Sequence, residues 1–249
     1  MRLFLQKFKP TRGFSHIGHL ALLFILPLVM FVLVRLGFIQ IALSIIVLSK
    51  WRMFAVRPRF WVANVRSNSI DLIIGLSTVL FMGHSTSLLV QFSLAILYGA
   101  WLLFIKPSTG LFMTSAQAFI GQFYGLTAVY LVGANGPVFA LTLLTGLVCF
   151  LAARHFLDSF EEPYARMLSY YWGYFGAALA WLLSHWLLYY QSVAQATLLL
   201  TTVGYGLGVI YYLDHNDKLS KIARRQFIFI MIAIVLVVLV FSDWGDKAL

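Results

Sequence analysis

The sequence predicts an all-α, polytopic transmembrane helix bundle of about nine spans, with the N-terminus cytoplasmic and the C-terminus extracytoplasmic. Three observations predict it. Of 249 residues, 61 % are hydrophobic and 10 % charged, and the mean hydropathy is +0.90; a water-facing surface takes roughly a quarter charged residues, whereas a bilayer solvates Leu, Ile, Val and Phe directly. Apolar runs recur at lengths close to the roughly 20 residues that cross a hydrocarbon core. Basic residues collect in alternate connections between those runs, as the positive-inside rule requires.

The runs cover 19–34, 37–49, 70–83, 88–105, 111–132, 137–153, 168–190, 193–213 and 227–241. The second and third are short enough to be half-helices or tilted hairpin limbs. The basic opening 1–13 followed by an apolar run imitates a secretory signal. Val34-Arg35-Leu36-Gly37 offers no small-x-small cleavage pattern, so the segment is expected to be retained. Counting from a cytoplasmic N-terminus, the inner segments hold Arg2, Lys7, Lys9 and Arg12, then Lys50, Arg52, Arg57, Arg59 and Arg66, then Lys106, then Arg154 and Arg166, then Lys218, Lys221, Arg224 and Arg225. Only Arg35 and Lys247 of 18 basic residues fall outside. The outer connections Arg35-Leu36, 84–87, 133–136 and Gln191-Ser192 are too small for an extracellular domain, so residues 1–249 read as one integral membrane domain. Aromatic residues crowd the span ends as interfacial belts do.

The net charge of +10 and pI near 9.9 follow from this placement and require no nucleic acid. The single cysteine, Cys149, lies inside an apolar run and cannot form an intramolecular disulfide. Ion-coupled transport draws on ionisable groups deep in the membrane, and the runs hold almost none. Asp71 sits one residue inside its run, where a first-turn carboxylate at a helix N-terminus is the ordinary reading and a proton site the other. His185 has no second ligand at i+3 or i+4 and reads as a hydrogen-bonded interfacial histidine. His155, Asp158 and Glu161 are spaced three apart and form the best metal-like pattern in the chain, which a solvated amphipathic loop also produces. Catalytic, cofactor and metal sites are therefore expected to be absent.

Two segments stand out. Gly204, Gly206 and Gly208 imitate a phosphate-binding loop, but an apolar run makes helix packing, or a glycine-broken substrate path, the reading. Gly173, Gly176, Ala177 and Ala180 point to close packing in the preceding run. Lys50, Trp51, Arg52, Arg57, Arg59 and Trp61 interleave charge and rings beside the membrane, a pattern suited to anionic headgroups or a docking partner, at about 1 kcal/mol per cation.

The short hairpin at Arg35-Leu36, Lys50-Trp51-Arg52, and Arg57-Pro58-Arg59-Phe60-Trp61 followed by two more hairpins resemble the N-terminal membrane domain of bacterial transglutaminase-like proteins, over about residues 20–151. The resemblance implies a cell-envelope role. That family's extracytoplasmic Cys-His-Asp domain has no counterpart here, since the outer tail is 242–249 and Cys149 lies in a span, so none of its catalytic residues carries over. The expected protein is a non-catalytic, multi-pass component of a bacterial plasma membrane, a scaffold or subunit of an envelope complex whose partners are membrane lipids, anionic headgroups on the cytoplasmic side and a further membrane protein. The alternatives are a small-molecule or lipid transporter or channel, and a lipid-modifying enzyme.

Overall fold

The computed structural model describes residues 13–55, 57–185, 189–190 and 193–243, and not the side chains of 13–22, 52, 189 and 190. Among the described residues ten α-helices follow one another: α1 (Gly13–Arg35), α2 (Ile39–Leu48), α3 (Trp61–Ser67), α4 (Ser69–His84), α5 (Leu88–Ala100), α6 (Leu111–Gly133), α7 (Val138–Asp158), α8 (Ala165–Leu183), α9 (Gln195–His215) and α10 (Lys221–Phe241). A π-turn at Trp101–Ile105 extends α5. A two-residue hairpin, Tyr189–Tyr190 against Val193–Ala194, precedes α9. The expected spans thus appear as helices at nearly the expected places, with α3 as an addition.

Four of these helical stretches, Leu88–Ile105, α7, α9 and α10, are long and apolar enough to cross a membrane; the bent pair Pro58–Ser67 and Ser69–His84, at 64°, would make a fifth. Leu23–Arg35 and α2 are apolar but shorter. Helices α6 and α8 have adequate lengths of 23 and 19 residues. Gln117 and Gln122 in the one, and Arg166, two Trp and three Tyr in the other, make them less apolar than their neighbours. The run 168–190 is not one helix. After Leu183 the Ser184 hydroxyl and the His185 Nδ1–H both donate to the Trp181 carbonyl, at 2.7 and 3.0 Å, and such local bonds compete with continuation of the helix. The Gln191-Ser192 connection, the basic tail 1–12 and Lys247 lie outside the described residues.

The chain forms two compact units, one from residues 1–49 and 78–107, the other from 50–77 and 108–249. In the first, α1 packs on α2 and α5, with Phe31 edge-on to Phe92 at 5.8 Å. The α1–α2 turn is a Schellman motif: Phe38 N–H reaches the Leu33 carbonyl and Gly37 N–H that of Val34, with Gly37 at φ +83°. The Gln91 amide donates to the carbonyls of Met82 and Ser85 at the end of α4.

In the second unit α7 and α8 pack backbone to backbone. A Cβ at Gly173 would lie 3.0 Å from the Gly146 carbonyl oxygen, and one at Gly176 would lie 2.7 Å from Cys149 Sγ. Without competing water, close van der Waals approach of small residues is what joins membrane helices, and this contact fulfils the packing expectation for Gly173 and Gly176. Leu126, Val148, Cys149 and Leu200 form the core where α6, α7 and α9 meet.

Candidate functional site

Within the second unit, α6, α7, α8, α9 and α10 enclose a cleft of about 830 Å³, inside the 300–1,000 Å³ range of small-ligand sites. Ten of its 24 lining residues are aromatic, among them Phe112 and Phe119 on α6, Phe156 on α7, Tyr171, Trp172 and Phe175 on α8, and Tyr211 and Tyr212 on α9. The less apolar helices α6 and α8 both face it. Their polar groups are turned to one another: Gln122 Nε2 donates to the Leu200 carbonyl at 3.0 Å, and its Oε1 accepts from Trp172 Nε1 at 3.0 Å. The Ser115 hydroxyl, also in the wall, donates back to Leu111 at 2.8 Å. With these groups satisfied, the cavity presents hydrocarbon and rings.

Gly204 and Gly208 line this cleft, and Gly206 does not. A Cβ at Gly204 would meet Trp172 at 2.9 Å and Gln122 Nε2 at 3.0 Å, so its absence lets the Gln122–Trp172 pair lie against α9. At Gly208 the nearest atoms, the Phe156 ring carbons, are 3.7 Å away. Gly206 faces the other way, where a Cβ would lie 2.7 Å from Met231 Sδ of α10, and is a packing position. The three glycines therefore lie on two faces of α9, Gly204 and Gly208 on the cleft and Gly206 against α10.

Rings cluster around Tyr211, one of the residues lining the cleft. Phe160, in the α7–α8 turn, sits edge-on to Tyr211 and His215 at 5.3 and 5.0 Å. Tyr211 donates to the Glu162 carboxylate in a hydrogen bond that ties this turn to α9. The α7–α8 and α9–α10 turns share a Schellman geometry in which Glu161 and Asp217, both at φ 54°, take the left-handed position. These turns and the adjoining helix ends also carry Arg154, Arg166, Lys218, Lys221, Arg224 and Arg225.

His155, Asp158 and Glu161 do not converge. His155 Nε2 donates to Gln117 Oε1 at 3.1 Å, Asp158 pairs with Arg154 at 2.9 Å, and Glu161 is exposed. Among the described residues no three His, Cys, Asp or Glu side chains gather where a metal ion could be held.

The basic-aromatic segment splits in a comparable way. Lys50 turns inward and forms an ion pair with Asp71, the two side chains only 10 % and 8 % exposed, which removes it from the headgroup-facing set. Asp71 is in the first turn of α4, as expected, but its buried partner was not foreseen. Trp51, Arg57, Arg59 and Trp61 remain exposed. Arg59 covers the Phe60 ring at 4.6 Å, and Trp61 donates to the Phe54 carbonyl at 3.1 Å. The Arg52 side chain lies outside the described residues.

No family model, characterised protein or solved structure matches the chain. The chemistry of the cleft is therefore the guide to function. Its polar pair, Gln122 and Trp172, escaped the sequence reading, although a Gln inside an otherwise apolar run is itself a signal of an inward-facing position.

Proposed function

We propose that this protein is a multi-pass integral membrane protein that binds the hydrocarbon part of a membrane lipid in the 830 Å³ cleft and acts on it without covalent chemistry. The observation that carries the proposal is an apolar, ring-lined cavity in whose wall Gln122 and Trp172 bond to each other and to the Leu200 carbonyl. A path for ions or sugars needs polar atoms turned into the cavity, whereas a lipid chain needs the reverse. The cleft lies toward the basic end of α7 to α10, which the positive-inside rule places at the cytoplasmic leaflet of a bacterial plasma membrane. The nine-span topology, the non-catalytic character and the role as a subunit of an envelope complex belong to this proposal. The envelope setting is also the one the transglutaminase-like resemblance implies.

The test uses Gly208, where a side chain meets only the rim of Phe156 at 3.7 Å and then extends into the cavity. Protein purified in mild detergent is extracted and its lipid measured by mass spectrometry. Lipid is expected to stay with the native protein at about one molecule per chain and to be lost from a Gly208→Leu variant of unchanged melting temperature. Equal retention by the variant would refute the proposal.

A further inference from the structure

We infer that the Gln122–Trp172 pair is the inner end wall of the cleft and sets the length of the chain it takes, so that the ligand is a lipid whose chains reach no deeper than one leaflet; this rests on the hydrocarbon-binding reading above. The lining residues occupy the same half of each of four helices. They run from Phe112 to Gln122 in the first half of α6, from Leu168 to Phe175 in the first half of α8, from Ala152 to Leu157 at the end of α7, and from Val203 to Leu213 in the second half of α9. These are the halves next to the connections 106–110, 159–164 and 216–220. From Phe112 to Gln122, and again from Val203 to Leu213, a helix rises about 15 Å. That is half of a hydrocarbon core roughly 30 Å thick.

One layer of contacts closes the cleft at this depth. Trp172 Nε1 donates to Gln122 Oε1, and Gln122 Nε2 donates to the Leu200 carbonyl, both at 3.0 Å, so α6, α8 and α9 are tied together across the end of the cavity. Gly204 makes room for the tie, since a Cβ there would lie 2.9 Å from Trp172 Cζ2. Behind the pair is packed core. Trp172 lies against the cluster of Leu126, Val148, Cys149 and Leu200, and a Cβ at Gly176, one turn beyond Trp172 on α8, would lie 2.7 Å from Cys149 Sγ. Trp172 thus lines the cleft and packs on the core at once, which makes its indole the boundary between them.

The side of the cleft is open. Tyr171 on α8 and Tyr205 on α9 line it and are 63 % and 55 % exposed. In a bilayer a chain therefore enters sideways, its headgroup at the interface and its methyl end toward Trp172. A chain longer than the leaflet is deep meets the indole and must bend back or push it aside, at the cost of overpacking.

The experiment supplies the purified protein, in mild detergent, with an equimolar mixture of phosphatidylethanolamines whose saturated chains differ only in length. Lipid bound to the intact protein is read by native mass spectrometry. For the native protein, binding is expected to fall beyond a cut-off length by at least about fivefold, the low end of what overpacking costs. Trp172→Ala opens the path toward Gly176, one helical turn deeper, and is expected to move the cut-off to chains longer by up to about 5 Å. Trp172→Phe keeps a ring in place while losing the bond to Gln122, and is expected to keep the native cut-off. Equal binding of all lengths by the native protein, or the native cut-off in Trp172→Ala, would overturn the inference and leave the hydrocarbon cleft standing. A cut-off moved equally in Trp172→Phe and Trp172→Ala would overturn the indole as the stop. Absence of any bound lipid would overturn both readings. The native protein is itself one arm, so the test does not depend on whether Trp172→Ala folds.

Discussion

The Lys50–Asp71 pair offers the sharpest stability test. Their side chains are 10 % and 8 % exposed, so replacing Asp71 by Asn leaves an ammonium in a site that excludes water. Removing one partner of a buried ion pair costs about 3–5 kcal/mol, whereas replacing both by apolar groups of similar volume is often neutral or stabilising. At about 2–4 °C per kcal/mol for a chain of this size, Asp71→Asn is expected to lower the melting temperature by about 6–20 °C. The double variant Lys50→Met with Asp71→Leu is expected to recover most of that loss. Cys149 provides the assay: it is the only cysteine, it is fully buried in the α6–α7–α9 core, and a fluorogenic maleimide added during heating reacts only as that core opens. If Asp71→Asn melted within about 2 °C of the native protein, the pair would be solvated and the cost of burying it wrongly reckoned.

Two further variants test packing and turn geometry with the same thiol readout. Gly173→Ala places a methyl 2.9 Å from Phe150 Cβ and 3.0 Å from the Gly146 carbonyl oxygen, so α7 and α8 must separate; a loss of about 1–3 kcal/mol is expected, and an unchanged melting curve would mean the contact yields freely. Glu161→Gly relieves a left-handed residue at φ 54°. It is expected to be neutral or stabilising by up to about 1 kcal/mol, because the cost of that conformation in an L-residue outweighs the added chain entropy of glycine; marked destabilisation would show that the Glu161 side chain has a role of its own.

Helix positions were legible because apolar run length and charge alternation are one-dimensional properties of a membrane chain. The run 88–105 reappears as Leu88–Ile105, and 193–213 as Gln195–His215. What run length could not convey is how far each helix is apolar on every side. Helices α6 and α8 were counted as equal to α10, yet their Gln122 and Trp172 meet across the wall of a cleft, while α10 packs chiefly on α9 and leaves Phe229 and Phe241 exposed. A weaker apolar character in two mid-chain helices is thus the trace of the cleft, visible in the sequence. Lys50 shows the opposite limit. Its neighbours Trp51, Arg57 and Trp61 keep the outward positions that an interfacial segment calls for, and only the path of the chain back to α4 brings Asp71 beside it. The glycines give the same lesson at finer scale. Spacing on one helix says that Gly204 and Gly208 share a face and that Gly206 does not. That the shared face opens on a cavity, while Gly206 receives Met231, is decided by which helices arrive on each side. A partner several helices away in the chain leaves no periodic mark on the residue that receives it.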